Sequence, residues 1–432
     1  MEELNLENKQ QLLYLLAKAS VFCRNLPQLQ AISESQFQSQ DAQKALVVFN
    51  KVQEEFQSFL TELSNAKSSE SSEATHGADP SRVYIDGCWD IMHSGHFNAI
   101  RQAKMLAKTL VVGIHSDEEI TRNKGPPVMS MHERVAMLRA CKWVDEIVEN
   151  APYSPNIELL DRLNCLYIAH GDDIAINCDG HDAYSEIKNA GRFKIIKRTE
   201  GVSTTTLVGK LILMNKDHLA SFPEPMVINE VKSNFLATSR RITEFSNKTR
   251  KPKGSVVYVD GSFDLFHIGH IETLKKAKSL GNFLIVGIHD DQTVNEHKGS
   301  NFPIMNLHER VLNVLACKYV DEVVIGAPWI ITEDLIKSLN ISYVVQGSVS
   351  KLDPSVSEFR KLSLGSVSDS DPFGVPKKLG IFREVVSERE IETSHIIQRI
   401  IDNRLTHLNK YMRKSVSEQK YYDQEKEFVE EI

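Results

Sequence analysis

The chain repeats itself, and that repeat limits what it can fold into more than any other feature. The run Val83-Tyr84-Ile85-Asp86-Gly87-Cys88-Trp89-Asp90-Ile91-Met92-His93-Ser94-Gly95-His96 returns 174 residues later as Val257-Tyr258-Val259-Asp260-Gly261-Ser262-Phe263-Asp264-Leu265-Phe266-His267-Ile268-Gly269-His270. The register holds through Gly113 and Gly287, His115 and His289, and Lys124 and Lys298. A two-residue insertion then shifts it, aligning His132-Glu133-Arg134 with His308-Glu309-Arg310 and Ala140-Cys141-Lys142 with Ala316-Cys317-Lys318. Such a register marks a tandem duplication, so whatever one copy folds into, the chain folds into twice.

Each copy alternates strand and helix signals. Arg82 to Ile85 is a short β-branched run, Ala99 to Lys108 has helical spacing, and Leu110 to His115 is the continuous apolar run of a buried parallel strand. His132 to Cys141 reads as a helix and Leu166 to Ala169 as a strand. This pattern predicts an α/β chain of two tandem Rossmann-like domains, each a doubly wound parallel sheet whose ligand sits beyond the strand C-termini. The expected organisation is a helical N-terminal extension (1–63), a Ser- and Glu-rich linker (64–81), a first α/β domain (82–216) and a connector (217–254). A second copy (255–405) and a charged helical tail (406–432) follow.

Composition excludes several functions. Lys and Arg number 51 against 58 Asp and Glu, a net charge of −7, which argues against a broad nucleic-acid surface. No apolar run approaches the ~18 residues of a membrane span, and the acidic start lacks a signal-peptide pattern. The six cysteines are scattered with no C-x-x-C pair, which points to reduced thiols in a cytoplasmic protein rather than a disulfide framework or zinc site.

The chemistry gathers at the first strand's end. Gly95, between His93 and His96, lets backbone approach an anion, and the following helix offers unpaired N–H groups. Two imidazoles there can donate hydrogen bonds to oxygens as charge develops. They could also be zinc ligands, but no third ligand is spaced to complete such a site, so no metal-ligating residue is expected. A pair of satisfied turn histidines would be the plainer reading of a single copy, and the duplication weakens it.

The G-x-[FW]-D-x-x-H-x-G-H run, the later Lys124-Gly125, His132-Glu133-Arg134, His170-Gly171-Asp172-Asp173 and Arg198-Thr199-Glu200-Gly201-Val202-Ser203-Thr204-Thr205 together resemble the cytidylyltransferase family. The resemblance covers roughly 82–215 and 256–405. It implies transfer of a cytidylyl group from CTP, with Mg²⁺, to phosphoethanolamine, releasing pyrophosphate in phospholipid synthesis. By similarity His93, His96, Lys124 and Arg198 would be catalytic. Gly87, Cys88, Trp89, Asp90, Gly95, Arg134, His170, Gly171, Asp172, Asp173, Thr199, Ser203, Thr204 and Thr205 would hold the nucleotide. Phosphocholine as substrate, or a nucleotide-sensing scaffold without turnover, are the alternatives; the tandem architecture and the missing basic amphipathic helix disfavour phosphocholine. A homodimer and peripheral association with the endoplasmic reticulum are further expectations.

The second copy keeps Ser262, Phe263, Asp264, His267, His270, Lys298, Gly347, Thr393 and Ser394, a set suited to weak nucleotide binding. Its last motif has changed. Gapless alignment from Gly191 with Gly380 puts Ser387 opposite Arg198, Glu388 opposite Thr199, Glu390 opposite Gly201 and Glu392 opposite Ser203; Gln346 and Ser348 replace His170 and Asp172. Like charges ~4 Å apart repel by about 4 kcal/mol at an effective dielectric near 20. That equals two to three powers of ten in triphosphate affinity, at about 1.4 kcal/mol per factor of ten. The first copy is therefore expected to catalyse and the second to support it.

Overall fold

The computed structural model describes residues 78–173, 175–214, 235–246, 254–298, 302–349, 371–388 and 391–408. The expected N-terminal helices, nearly all of the 64–81 linker, most of the connector and nearly all of the tail lie outside these residues.

In the first copy the order is β1 (Asp79–Gly87), α1 (Ser94–Met105), β2 (Thr109–Ile114), α2 (Asp117–Lys124), α3 (Met131–Ala140), β3 (Glu146–Glu149), α4 (Ile157–Arg162), β4 (Cys165–Gly171), α5 (Ser185–Asn189), β5 (Phe193–Ile196) and α6 (Thr204–Met214). A connector helix, α7 (Ser239–Phe245), follows. The second copy runs β6 (Val256–Gly261), α8 (Ile268–Lys278), β7 (Phe283–Ile288), α9 (Asp291–Lys298), α10 (Leu307–Leu315), β8 (Glu322–Ile325), α11 (Glu333–Ser338), β9 (Ile341–Val349), α12 (Gly374–Lys378), β10 (Phe382–Ser387) and α13 (Thr393–Asp402).

Each copy forms a five-stranded parallel sheet, β3-β2-β1-β4-β5 in one and β8-β7-β6-β9-β10 in the other. Leu110, Val111, Val112 and Ile114 of β2 are fully buried because helices cover both sheet faces, which is why this strand reads as an unbroken apolar run. The order reverses between β1 and β4, so a crevice opens there at the strand C-termini. The short strands β3 and β5 were not foreseen; at four residues each they carry too little pattern to stand out.

Three boundaries move. β1 begins at Asp79, inside the expected linker, where Asp79 N–H reaches Asn164. The connector is partly built: Phe245 of α7 is fully buried and meets Trp143 edge-on at 5.0 Å. Past Leu405 the chain remains helical to Leu408 and folds back on the first copy.

The copies join about a pseudo-twofold axis. Lys142 N–H donates to Ala316 O at 3.0 Å and Lys318 N–H to Ala140 O at 2.8 Å, making an antiparallel bridge between Cys141 and Cys317. α1 packs on α10, α3 on α8 and α6 on α13, and one apolar cluster runs through both copies. Arg399 of α13 forks onto Glu133 of α3 at 2.8 and 3.0 Å. Its counterpart Lys210, on α6, lies in the field of Glu309, Asp264 and Asp291 of the second copy.

Candidate active site

The H-x-G-H spacing is first a way to start a helix. His93 is the N-cap of α1, and its Nδ1 accepts from Gly95 N–H at 3.2 Å. His96 stands three residues on, and its Nδ1 accepts from His93 N–H at 3.4 Å. This is a capping box built from two imidazoles. With both Nδ1 atoms accepting backbone protons, each neutral ring carries its own proton on Nε2, a tautomer assigned from these bonds. Burial, with the His96 and Arg198 charges, holds His93 well below the usual histidine pKa, so it stays a neutral donor. A Cβ at position 95 would sit 2.9 Å from the His93 ring, which is why glycine stands there.

The preceding loop is strained into place. Trp89 and Ile91 have φ of 54° and 43°, as do Phe263 and Leu265 of the second copy at 49° and 46°, and such conformations persist only where surroundings enforce them. Asp90 enforces this one, accepting from Val128 N–H at 2.9 Å and Met129 N–H at 2.8 Å. Trp89 Nε1 donates to Gly113 O at 2.8 Å.

These groups line a cleft of about 280 Å³ at the β1–β4 crevice. Its wall includes Gly87, Cys88, Trp89, Asp90, His93, Gly95 and His96 from the β1 end, Lys124 from α2, His170 and Gly171 from β4, and Asp173 just beyond it. Arg198, Thr199, Ser203, Thr204 and Thr205 also line it, so the N-terminus of α6 opens onto the same cleft as the two histidines. Thr204 Oγ1 lies 3.4 Å from His93 Nε2, and Thr199 Oγ1 accepts from Asn98 at 2.9 Å.

Lys124 sits 5.2 Å from the Tyr153 ring centre. The Cys88 thiol, the Tyr153 phenol and the Asp173 carboxylate outweigh its burial and raise its pKa, so it remains a cation. Burial raises Asp173, but the His170, Arg198 and Lys124 charges outweigh it and leave the pKa lowered. Burial lowers His170 despite Asp173 beside it. One face of the cleft is thus cationic and rich in donors.

Two expected nucleotide contacts do not reach the cleft. Arg134 is fully buried and bonds to protein: Nε to Met129 O at 3.2 Å, one terminal nitrogen to Cys88 O at 2.6 Å, the other to His115 O at 2.9 Å and Asp117 at 2.6 Å. It is a tie between loops, and Arg310 repeats it on Met305, Ser262 and Asp291. Arg134→Met should lower the unfolding free energy by about 3 kcal/mol or more, because it orphans buried acceptors. Arg139→Met, which breaks an exposed pair with Glu149, should stay within about 1 kcal/mol. Denaturant titration checks both. Asp172 is the second exception; Asp173 alone of that pair lines the cleft.

Sequence reading missed Asp86 and Tyr184. Asp86, at the end of β1, lines the cleft and is 4 % exposed. Tyr184 donates to its Oδ1 at 2.7 Å, while Oδ2 has no hydrogen-bond partner among the described residues. Burial pushes its pKa up to about 7. Tyr184 also lies 4.4 Å from the His170 ring. The available signal was Asp260 repeating Asp86 in the second copy.

In the second copy His267 and His270 rebuild the capping box, Asp264 holds Ile304 and Met305 N–H, and Phe263 meets His270 at 5.3 Å. Lys298 donates to Ser262 Oγ at 2.7 Å. Thr393 Oγ1 donates to Asp264 O, and Gly347 lies in β9 against Thr273. The expected field reversal is narrower than the sequence suggested. Glu388 points outward, 81 % exposed and paired with Lys276 at 3.0 Å; Glu390 lies outside the described residues. Glu392 remains, standing as the N-cap of α13 with Ser394 Oγ 3.5 Å from its carboxylate. The helix end that faces the cleft in the first copy is capped by a carboxylate in the second. Phe373, opposite Tyr184, lacks the hydroxyl.

A parallel sheet with a histidine-capped helix, two cations and a helix N-terminus around one crevice defines a nucleotidyltransferase. Residues 84–210 and 258–399 match the family described as cytidylyltransferase-like, and the chain belongs to that family. Within it, the chain is 49% identical over 366 residues to the ethanolamine-phosphate cytidylyltransferase of Dictyostelium discoideum, covering 81% of this chain and 99% of that one. It is 47% identical over 376 residues to the enzyme of that name from Arabidopsis thaliana, covering 81% and 87%. A probable choline-phosphate cytidylyltransferase of Schizosaccharomyces pombe is 42% identical over 135 residues, covering 31% and 37%.

Proposed function

We propose that the first copy transfers a cytidylyl group from CTP to phosphoethanolamine, giving CDP-ethanolamine and pyrophosphate. A phosphate oxygen of phosphoethanolamine attacks the α-phosphorus as the bond to the β-phosphate bridging oxygen breaks, and the electron pair leaves with pyrophosphate. The nucleophile is already anionic above its second pKa of about 6, so no general base is needed. The protein positions both partners and stabilises charge. The Nε2–H groups of His93 and His96 and the first turn of α6 would donate to the phosphates, with Lys124 and Arg198 as cations.

The observation that carries the substrate is Asp86. Its unpartnered Oδ2 leaves a buried acceptor awaiting a donor, and a primary ammonium brings three. A quaternary ammonium brings none, which favours phosphoethanolamine over phosphocholine. The curated relatives covering most of the chain bear ethanolamine-phosphate names.

Among the described residues no three His, Cys, Asp or Glu side chains group to hold a metal. Mg²⁺ would enter as the counter-ion of the triphosphate. No described helix is long and apolar enough to cross a membrane. Use of the product in phospholipid synthesis supports peripheral placement at the endoplasmic reticulum, and a homodimer remains part of this proposal.

The test is turnover of CTP with each phosphorylated amino alcohol. kcat/KM for phosphoethanolamine should exceed that for phosphocholine at least about 100-fold, as a site built to accept a hydrogen bond rejects analogues without the donor. Equal values would overturn the assignment.

A further inference from the structure

The end of the second copy enters the cleft of the first. His407 N–H donates to Asn403 O at 3.0 Å, continuing the helical path beyond α13. The His407 side chain is 3 % exposed and lines the cleft, and every other residue lining that cleft belongs to the first copy.

This reach is fastened. Arg399, two turns earlier, forks onto Glu133 and also donates to Val128 O at 3.4 Å. Val128 is itself a cleft residue, and its N–H is held by Asp90. One peptide segment of the cleft wall is therefore gripped at its N–H by the first copy and at its C=O by the second. Glu133 in turn caps α3 through Ser130 N–H at 2.8 Å.

The surroundings indicate what His407 meets. α6 packs on α13, and Val208, one turn beyond Thr204 on α6, lines the same cleft. Val128, Val208 and the His407 imidazole bring two apolar side chains and one hydrogen-bonding group to the cleft wall. That suits a flat base and ribose better than a triphosphate, which the cations and the α6 N-terminus would hold.

We infer that His407 is a nucleotide-contacting residue of the first copy's site, facing the nucleoside, and that Arg399 is the positioning residue holding it there. The second copy thus completes the first copy's cleft instead of repeating its chemistry. The inference rests on the reading of the cleft as a CTP site.

The experiment measures binding of CTP and of CMP to the full chain by calorimetry, without phosphoethanolamine, alongside steady-state kinetics and thermal melting. His407→Ala and the bulkier His407→Leu should weaken CTP and CMP equally, about 5- to 10-fold, the loss of one hydrogen bond and its packing. KM for CTP should rise by the same factor while kcat and KM for phosphoethanolamine hold, and His407→Gln should recover part of the loss. Arg399→Ala should show the same split more weakly, and Leu405→Ala, at a 78 % exposed side chain, none. Unchanged CTP affinity in variants that melt like the parent would overturn the inference; loss for CTP but not CMP would overturn the nucleoside assignment. A parent chain that binds CTP yet does not convert phosphoethanolamine would sink the functional reading instead, leaving the binding comparison intact.

Discussion

His96→Ala should cut kcat about 10²- to 10³-fold, the usual cost of removing one preorganised donor from a developing charge. His270→Ala should leave kcat within about threefold, because its site is separate from the chemistry. The two histidines have the same backbone role, each accepting an N–H to close a capping box. A loss of helix capping therefore costs both variants alike, about 1 kcal/mol of stability, and cancels in the comparison. What differs is the surroundings: Arg198 and the N-terminus of α6 line one cleft with His96, whereas the aligned positions of the second copy hold Ser387 and the Glu392 cap. Steady-state kinetics on both variants, with melting curves to establish folding, decide the matter. Equal losses in kcat, with both variants folded, would overturn the division of labour between the copies.

Much of the fold could be read in the repeat. The unbroken apolar run of β2 and the amphipathic pattern of α1 gave layer order, and the parallel switch point followed from strand–helix alternation. That His93, His96, Lys124 and Arg198 meet at one crevice was also legible. Arg134 misled because an arginine beside a phosphate site and one tying loops through carbonyl oxygens look alike in sequence. Asp86 was invisible for the opposite reason: a strand-end aspartate before glycine reads as a turn, and only burial makes it a site residue. His407 could not be found at all. Its position in the repeat has no described counterpart, and its place in the cleft depends on packing of one copy against the other.

Asp86→Asn should reduce kcat/KM for phosphoethanolamine by about 100-fold or more, since losing one member of a buried charge pair costs 2–5 kcal/mol. The loss should fall on KM for phosphoethanolamine more than on CTP affinity, because the side chain is bonded to Tyr184, on the wall that Tyr184 shares with His170. A pH signature separates this from general damage. Burial raises Asp86 to about 7 in the free protein, so below that pH the carboxyl is protonated and cannot hold an ammonium. kcat/KM, which reports the free enzyme, should therefore fall as pH drops through about 7. kcat should be flatter, because a bound ammonium favours the carboxylate. The substrate phosphate adds its own limb near about pH 6, and in Asp86→Asn that limb alone should remain. Linkage gives an independent check on the same group. A carboxyl whose folded pKa is raised contributes stability below its unfolded pKa and loses it as pH rises toward 7. Ligand-free Asp86→Asn should accordingly gain stability relative to the parent between about pH 4 and 7, and phosphoethanolamine with CTP should stabilise the parent more than the variant. A parent kcat/KM profile with no limb near 7, or a variant that keeps it, would remove Asp86 from the amine site.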